Sequence, residues 1–393
     1  MRGQNVLPAL APLESLDLPP ALSGAQGRNR GVGRAQIAAN DDRSAVLAWL
    51  ARYVDSKATL DNYRKEAERF LLWCVFQHRR ALSDLTHEDI LLYQVFLCDP
   101  QPAERWIMTV AQKPPRSSAD WRPFAGPLGA SSQRQAMSII NGMFNWLVGA
   151  GYLAGNPVAL QRKRRPPRGK RISRFLPHQH WQAVKTAILS MPTETPRKAS
   201  RAARARWLFS LLYIGGLRVS EVCDGRVSDF FVRRSQDGKE RWWLEATGKG
   251  EKTREIPATT ELMDELARYR VANELKPLPS ASENLPLILP LIGESSKPLA
   301  RTAIHEIVKT TMRCAAEQLR SKGPEFDDAA AHIELASTHW LRHTSASHQA
   351  GTASLPDVRD NMGHASLSTT SIYVHTEDDA RHDATDASHR VSW

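Results

Sequence analysis

The sequence contains no apolar run near the ~20 residues that a membrane-spanning helix requires, which excludes a transmembrane protein from the reading. Its first residues, MRGQNVLPALAPLESLDLPP, lack the basic start and unbroken apolar stretch of a secretory leader. Cysteine is scarce. Cys74, Cys98, Cys223 and Cys314 are widely spaced and form no CxxC pair, so a disulfide framework is not expected and reduced thiols in a cytosolic protein fit best. No internal repeat is visible. Acid is in short supply: Asp+Glu 42 against Lys+Arg 53 leaves a net charge of +11. Such a surplus favours a polyanionic partner, nucleic acid before a membrane, with a basic but otherwise ordinary enzyme as the alternative. A hydrophobic share of 41% excludes disorder of the whole chain. At about 150 residues per domain, the 393 residues make two or three domains.

Residues 1–40, rich in Pro, Gly, Ala and Ser and without lasting periodicity, are expected to form a mobile N-terminal arm. Helical spacing begins with Val46, Leu47, Leu50 and Val54. It continues with Tyr63, Ala67, Phe70, Leu71 and Cys74, and returns in Ile139, Ile140, Met143, Phe144 and Leu147. Thr86, followed by Glu88 and Asp89, marks a helix start for 90–97. Between these, residues 99–130 lose periodicity and are read as a long loop or insertion. Residues 41–160 therefore form an all-helical domain. Residues 161–174 read QRKRRPPRGKRISR, eight basic residues and no acid. Prolines and glycine forbid a regular helix there. The segment is either a solvated linker or a strap along a phosphate backbone, and the strap is the favoured reading in a basic protein. From 175 onward, helices are expected at 178–190, 202–214, 259–272, 299–320, 338–350 and 355–361. Short strands are expected at 226–232, 241–247 and 253–257, with Gly248 and Gly250 marking a tight turn. The fold class is mainly α with a small antiparallel β-sheet.

Four segments of this second domain concentrate residues suited to phosphate chemistry. In GGLRVSEV (215–222), two glycines let the backbone turn and place Arg218 at a helix N-terminus, where orphan N–H groups attract anions. Glu221, three residues on, could orient its guanidinium. In TGKGEKTREIP (247–257), Lys249 sits at a hairpin tip as a possible proton donor, with Lys252 and Arg254 as competitors. In HWLRHTSASHQAG (339–351), His339 and Arg342 share a helix face. A metal site on His339 and His343 is disfavoured, because Trp340 stands where the metalloprotease pattern needs Glu. In NMGHASLSTTSIYVH (361–375), Gly363 can end a helix, His364 follows, and Tyr373 comes nine residues later. Each segment alone has an ordinary structural reading; their order is what counts.

Taken together, the segments resemble the catalytic domain of the tyrosine recombinases, the phage-integrase family that includes Xer-type enzymes. The likeness covers about 175–375 with Arg218, Lys249, His339, Arg342, Gly363, His364 and Tyr373 in the family's order. Residues 41–160 are similar, more loosely, to the family's core-binding domain. The chain departs from the shortest members in the 1–40 arm, the 99–130 insertion and a polar stretch before His339 (321–337).

The resemblance implies a site-specific recombinase or integrase, of the sort carried by mobile genetic elements. Such an enzyme cleaves and rejoins double-stranded DNA through a 3′-phosphotyrosine intermediate and exchanges strands through a Holliday junction. Tyr373 is the implied nucleophile, Arg218 and Arg342 clamp the phosphorane, Lys249 is the general acid, His339 accepts the tyrosine proton and His364 bonds the phosphate. No cofactor and no metal are expected. The helical domain and the linker residues Arg162, Lys163, Arg164, Arg165, Arg168, Lys170, Arg171 and Arg174 are expected to hold the duplex. The family implies a homotetramer on two sites. The 376–393 tail is a possible contact to a neighbouring protomer, since the stretch 374–393 has five acids against two arginines. A cytoplasmic, nucleoid-associated protein in a prokaryote is expected. The rival classes are a type IB topoisomerase, a transposase and a catalytically silent DNA-binding protein.

Overall fold

The computed structural model describes residues 10–109, 114–161, 174–235, 237–248 and 252–363. The chain divides between residues 167 and 168 into two units.

The first unit is helical: α1 (Asp42–Leu50), α2 (Lys57–Leu72), α3 (His87–Cys98), the single turn α4 (Ala103–Trp106) and α5 (Ala130–Gly149). Asp41 starts α1 by accepting from the Ser44 N–H at 2.7 Å. At the start of α3, the Thr86 N–H donates to Asp89 Oδ2 at 2.9 Å. Phe70, Leu71, Ile140, Met143, Phe144 and Leu147 are fully buried, so the stripes of α2 and α5 face one core.

One expectation needs correction here. Residues 10–40 are not a loose arm. Leu13 and Leu16 are buried in the same core, and the Leu13 N–H donates to the buried Glu68 Oε2 at 2.8 Å. Gly31 N donates to Tyr152 O at 3.0 Å and Gln36 N to Ala150 O at 2.8 Å, so this segment is bonded along its length. Residues 1–9 lie outside the described residues. Residues 99–130 carry, among those described, only the single turn α4 ahead of α5, and they are packed into the domain. Trp106, Trp121 and Phe124 are buried in the core, and Phe124 N donates to Trp106 O at 3.1 Å. Isolated anchors hold both stretches, which is why neither shows a period.

The second unit begins with α6 (His178–Leu189), α7 (Pro196–Tyr213) and the short α8 (Val219–Asp224). Three strands follow, β1 (Phe230–Arg234), β2 (Glu240–Thr247) and β3 (Thr253–Pro257), antiparallel in the order β1-β2-β3. Phe230 pairs with Leu244 and Leu244 with Ile256, and all three are buried on the inner face. The sheet starts later than the expected 226, because Val227–Asp229 form a 3₁₀ turn in which Arg226 N donates to Asp229 Oδ2 at 2.7 Å. The unit closes with α9 (Thr260–Val271), α10 (Arg301–Arg320), α11 (Asp327–Leu335), α12 (Thr338–Ala350) and α13 (Leu355–Met362). The polar stretch 321–337 thus contains a helix, α11, whose Ala330 and Ile333 reach the core while its acids Asp327, Asp328 and Glu334 are left out of it.

Candidate active site

Where α7 ends, Gly215 and Gly216 reverse the chain so that Arg218 becomes the residue capping α8. Gly216 has φ +57°, a conformation costly for residues with a Cβ, and a Cβ there would come within 2.6 Å of Met362 Cε. The turn therefore lies directly against the end of α13.

Glu221, 3% exposed, gathers two arginines. Its Oε2 accepts from the Arg218 backbone N–H and its Oε1 from Arg218 Nη1, both at 2.7 Å. Arg254, reaching across from β3, donates Nη1 to Oε1 at 2.6 Å and Nη2 to Oε2 at 2.8 Å. Burial alone would raise the Glu221 pKa. The arginine hydrogen bonds and charges outweigh it and hold the carboxyl at about 2. The third donor of Arg254, Nε, bonds Asn361 O at 2.9 Å, in the last turn of α13.

Arg342, on α12, is 3% exposed. Its Nη1 donates to Gly216 O and its Nη2 to Met362 O. These bonds fix the plane of the guanidinium between the arginine turn and α13. His339, one turn earlier on α12, stands at the surface with its ring edge-on to His343, centroids 4.2 Å apart. Partial burial, then the positive charges of Arg342, Arg174 and Arg218, hold its pKa below the ordinary histidine value. His339, Arg342, Arg218 and Arg174 therefore share one electrostatic neighbourhood. Arg174 comes there because Leu176, buried, donates its N–H to Thr344 Oγ1 of α12 at 2.9 Å.

Two described residues adjoin this cluster and precede sequence-predicted ones. Gly248 closes the hairpin mouth with its N–H on Lys252 O at 2.8 Å, and a Cβ on it would lie 3.4 Å from Glu221 Oε1. Gly363 caps α13 at φ +59°, and a Cβ on it would lie 2.7 Å from Arg254 Cδ. Lys249, His364 and Tyr373 lie outside the described residues. So do the linker cations Arg162, Lys163, Arg164, Arg165, Arg168, Lys170 and Arg171, and the 376–393 tail.

Two other tyrosines of this unit are unsuited as nucleophiles. Tyr269 is 4% exposed, its hydroxyl accepts from Leu289 N at 2.9 Å, and burial pushes its pKa up to about 12. Tyr213 is held by a hydrogen bond to His348 Nδ1 at 2.9 Å and stacks on Trp181. Arg254 is likewise no competing proton donor, since all three of its side-chain nitrogens are engaged. Its structural part was legible. It lies two residues before Ile256 on β3, hence on the sheet's inner face, where a cation needs an acid partner. Lys252 is exposed.

The phage integrase family model matches residues 184–380, half of the chain and the span that holds every site residue described above except Arg174. The chain belongs to that family. It is 28% identical over 335 residues to a tyrosine recombinase XerC of Neisseria gonorrhoeae, covering 84% of this chain and 92% of the relative. To a tyrosine recombinase of Pseudothermotoga lettingae it is 30% identical over 264 residues, covering 65% and 74%. In fold it resembles the XerH site-specific recombinase bound to a palindromic difH substrate in a post-cleavage complex, at TM-score 0.57 and 15% identity, covering 95% of this chain and 98% of that one. A lambda integrase dimer bound to a COC′ core site is similar at TM-score 0.51 and 17% identity, covering 84% and 77%. The phage-integrase member described here is thus a tyrosine recombinase, a DNA strand-transferring enzyme that performs site-specific recombination through a 3′-phosphotyrosine intermediate. Among the described residues, no helix is long and apolar enough to cross a membrane, and no group of three or more His, Cys, Asp or Glu is placed to hold a metal ion.

Proposed function

We propose that Arg218, Lys249, His339, Arg342, His364 and Tyr373 carry out this reaction on double-stranded DNA, with Glu221 in support. The reading rests on one observation: Arg218 and Arg342, the latter one turn after His339 on α12, converge beside Gly248 and Gly363, the described residues that stand immediately before Lys249 and His364. Tyr373 Oη attacks the phosphorus and its proton passes to His339. A lowered pKa suits His339 to that step, because the imidazole must be neutral to accept. The strand's 5′-oxygen leaves with a proton from Lys249. The arginine forks neutralise the charge gathering on the non-bridging oxygens, a contribution of a few kcal/mol each in preorganised sites, on the order of 3. Phosphodiester is exchanged for phosphotyrosine, so resealing is the same step reversed and needs no added energy source.

The second part of the proposal concerns the rest of the chain. Residues 41–160 and the 161–174 cations hold the duplex, four protomers assemble on two sites, and the tail from 376 docks on a neighbour. Strand exchange then passes through a Holliday junction. The proposal is tested by trapping the protein covalently on DNA in cells and sequencing the attached ends, then repeating adduct formation on a duplex of the recovered sequence with EDTA present. Adducts concentrated at one short sequence, unaffected by chelation, are expected. Adducts spread over arbitrary sequence point to a type IB topoisomerase, and adducts abolished by chelation and restored by magnesium point to a metal-dependent transposase.

A further inference from the structure

We propose that Arg254 is a positioning residue for strand transfer: it locks Glu221, and through Glu221 the phosphate-clamping Arg218, to the last turn of α13 immediately ahead of His364. The inference rests on the site reading above. Its observations are local. Arg254 makes three directed bonds to two elements, a parallel fork to both oxygens of Glu221 and Nε to Asn361 O. Its side chain is 10% exposed, so these bonds are shielded from water. The next carbonyl along, Met362 O, is held by Arg342. Two guanidinium groups therefore hold successive carbonyls at the C-terminal end of α13, where the helix dipole favours positive charge. Gly363 follows with no room for a Cβ between its backbone and Arg254 Cδ, so chain and side chain are in direct contact.

The consequence is a shared brace. Arg218 takes its place from Glu221, Glu221 from Arg254, and Arg254 from α13. The register of β3 sets the brace's base, since Arg254 pairs with Ala246 next to the hairpin mouth. A displacement of α13 is transmitted to Arg218 through two side chains. Arginine is required, because only a planar fork reaches both carboxylate oxygens while its Nε turns to a third acceptor. A lysine ammonium is a single point.

The test uses the full chain and a nicked suicide duplex built on the sequence recovered from cells. Single-turnover adduct formation is measured at saturating protein, and DNA affinity separately by gel shift. Arg254→Met is expected to slow cleavage by about 100-fold, the scale of a small misplacement of a reacting group, with affinity unchanged. Arg254→Lys should retain part of the rate, slower by about tenfold, since its single ammonium keeps the charge opposite Glu221 but loses the fork and the bond to Asn361 O. The rate losses of Arg254→Met and Glu221→Gln should fail to multiply in the double variant, since one acts through the other. Parental rates in Arg254→Met, or cleavage and affinity falling in the same proportion, would overturn the proposal. If Arg254→Met shows no cooperative melting transition, Arg254→Lys decides: slowed cleavage at unchanged affinity supports the brace, and the parental rate overturns it. Failure of the site reading is a separate result, in which the parental chain itself forms no adduct.

Discussion

A buried carboxylate between two arginines is stable only while both sides of the pairing are present, and Glu221 is such a group. Its folded pKa, about 2, lies below the ordinary 4.5, so the pairing's stabilisation is fully present above pH 4.5 and is lost as the pH falls towards 2. Glu221→Gln is expected to cost about 3 kcal/mol at neutral pH, because Arg254 is left buried without its counter-charge. Urea denaturation should show the cost at pH 7 and a shrinking difference from the parental protein below pH 4.5. His339 titrates the other way. With its pKa held below the ordinary 6.5, the ring stays neutral to lower pH, so the acid limb of single-turnover cleavage should lie below that value. Arg174→Ala removes one of the depressing charges and should move the limb upward. A limb that stays in place or moves down would separate Arg174 from His339. At this scale the sequence put Arg218 at a helix start with Glu221 in reach of its guanidinium, and His339 and Arg342 one turn apart on a helix, and that is where they stand. It undervalued Arg254, whose partners stand 33 and 107 residues away and are set by tertiary register.

Periodicity located α2, α5, α6, α9, α10, α12 and α13 to within a few residues, because each has a stripe that must be buried on one side, and the start signal at Thr86 located α3. It failed where a segment is held by single anchors. Leu13, fully buried, with its N–H on Glu68, fixes its segment as a stripe fixes a helix. Leu13→Ala is therefore expected to destabilise the first unit by about 2–5 kcal/mol, the range of large-to-small core changes. A thermal or denaturant melt checks this. A change under about 0.5 kcal/mol, the level of surface substitutions, would return the segment to a loose arm. The same reasoning explains 99–130, where Trp106, Trp121 and Phe124 supply the burial that spacing does not. α11 was hidden for a different reason: a nine-residue helix that opens on two acids and buries only Ala330 and Ile333 has too short a stripe to show a period.

Over the whole molecule, the +11 charge was the earliest sign of a nucleic-acid partner, and the basic 161–174 run concentrates eight of its cations. If that run straps the duplex, neutralising its cations should flatten the dependence of log K on log[salt] by about 0.9 for each phosphate that the strap no longer neutralises. The affinity loss should be equal on specific and random DNA, since phosphate contacts do not read sequence. Salt titrations of the parental and neutralised chains decide it, and an unchanged slope makes the run a plain linker. That this chain joins itself to DNA through Tyr373 can be tested most directly of all. The full chain is incubated with a nicked suicide duplex and the products are resolved on a denaturing gel, parental protein beside Tyr373→Phe. A 3′-linked covalent adduct is expected with the parental chain, and for Tyr373→Phe full DNA binding with no adduct; an adduct that persists in Tyr373→Phe would contradict the assignment of the nucleophile.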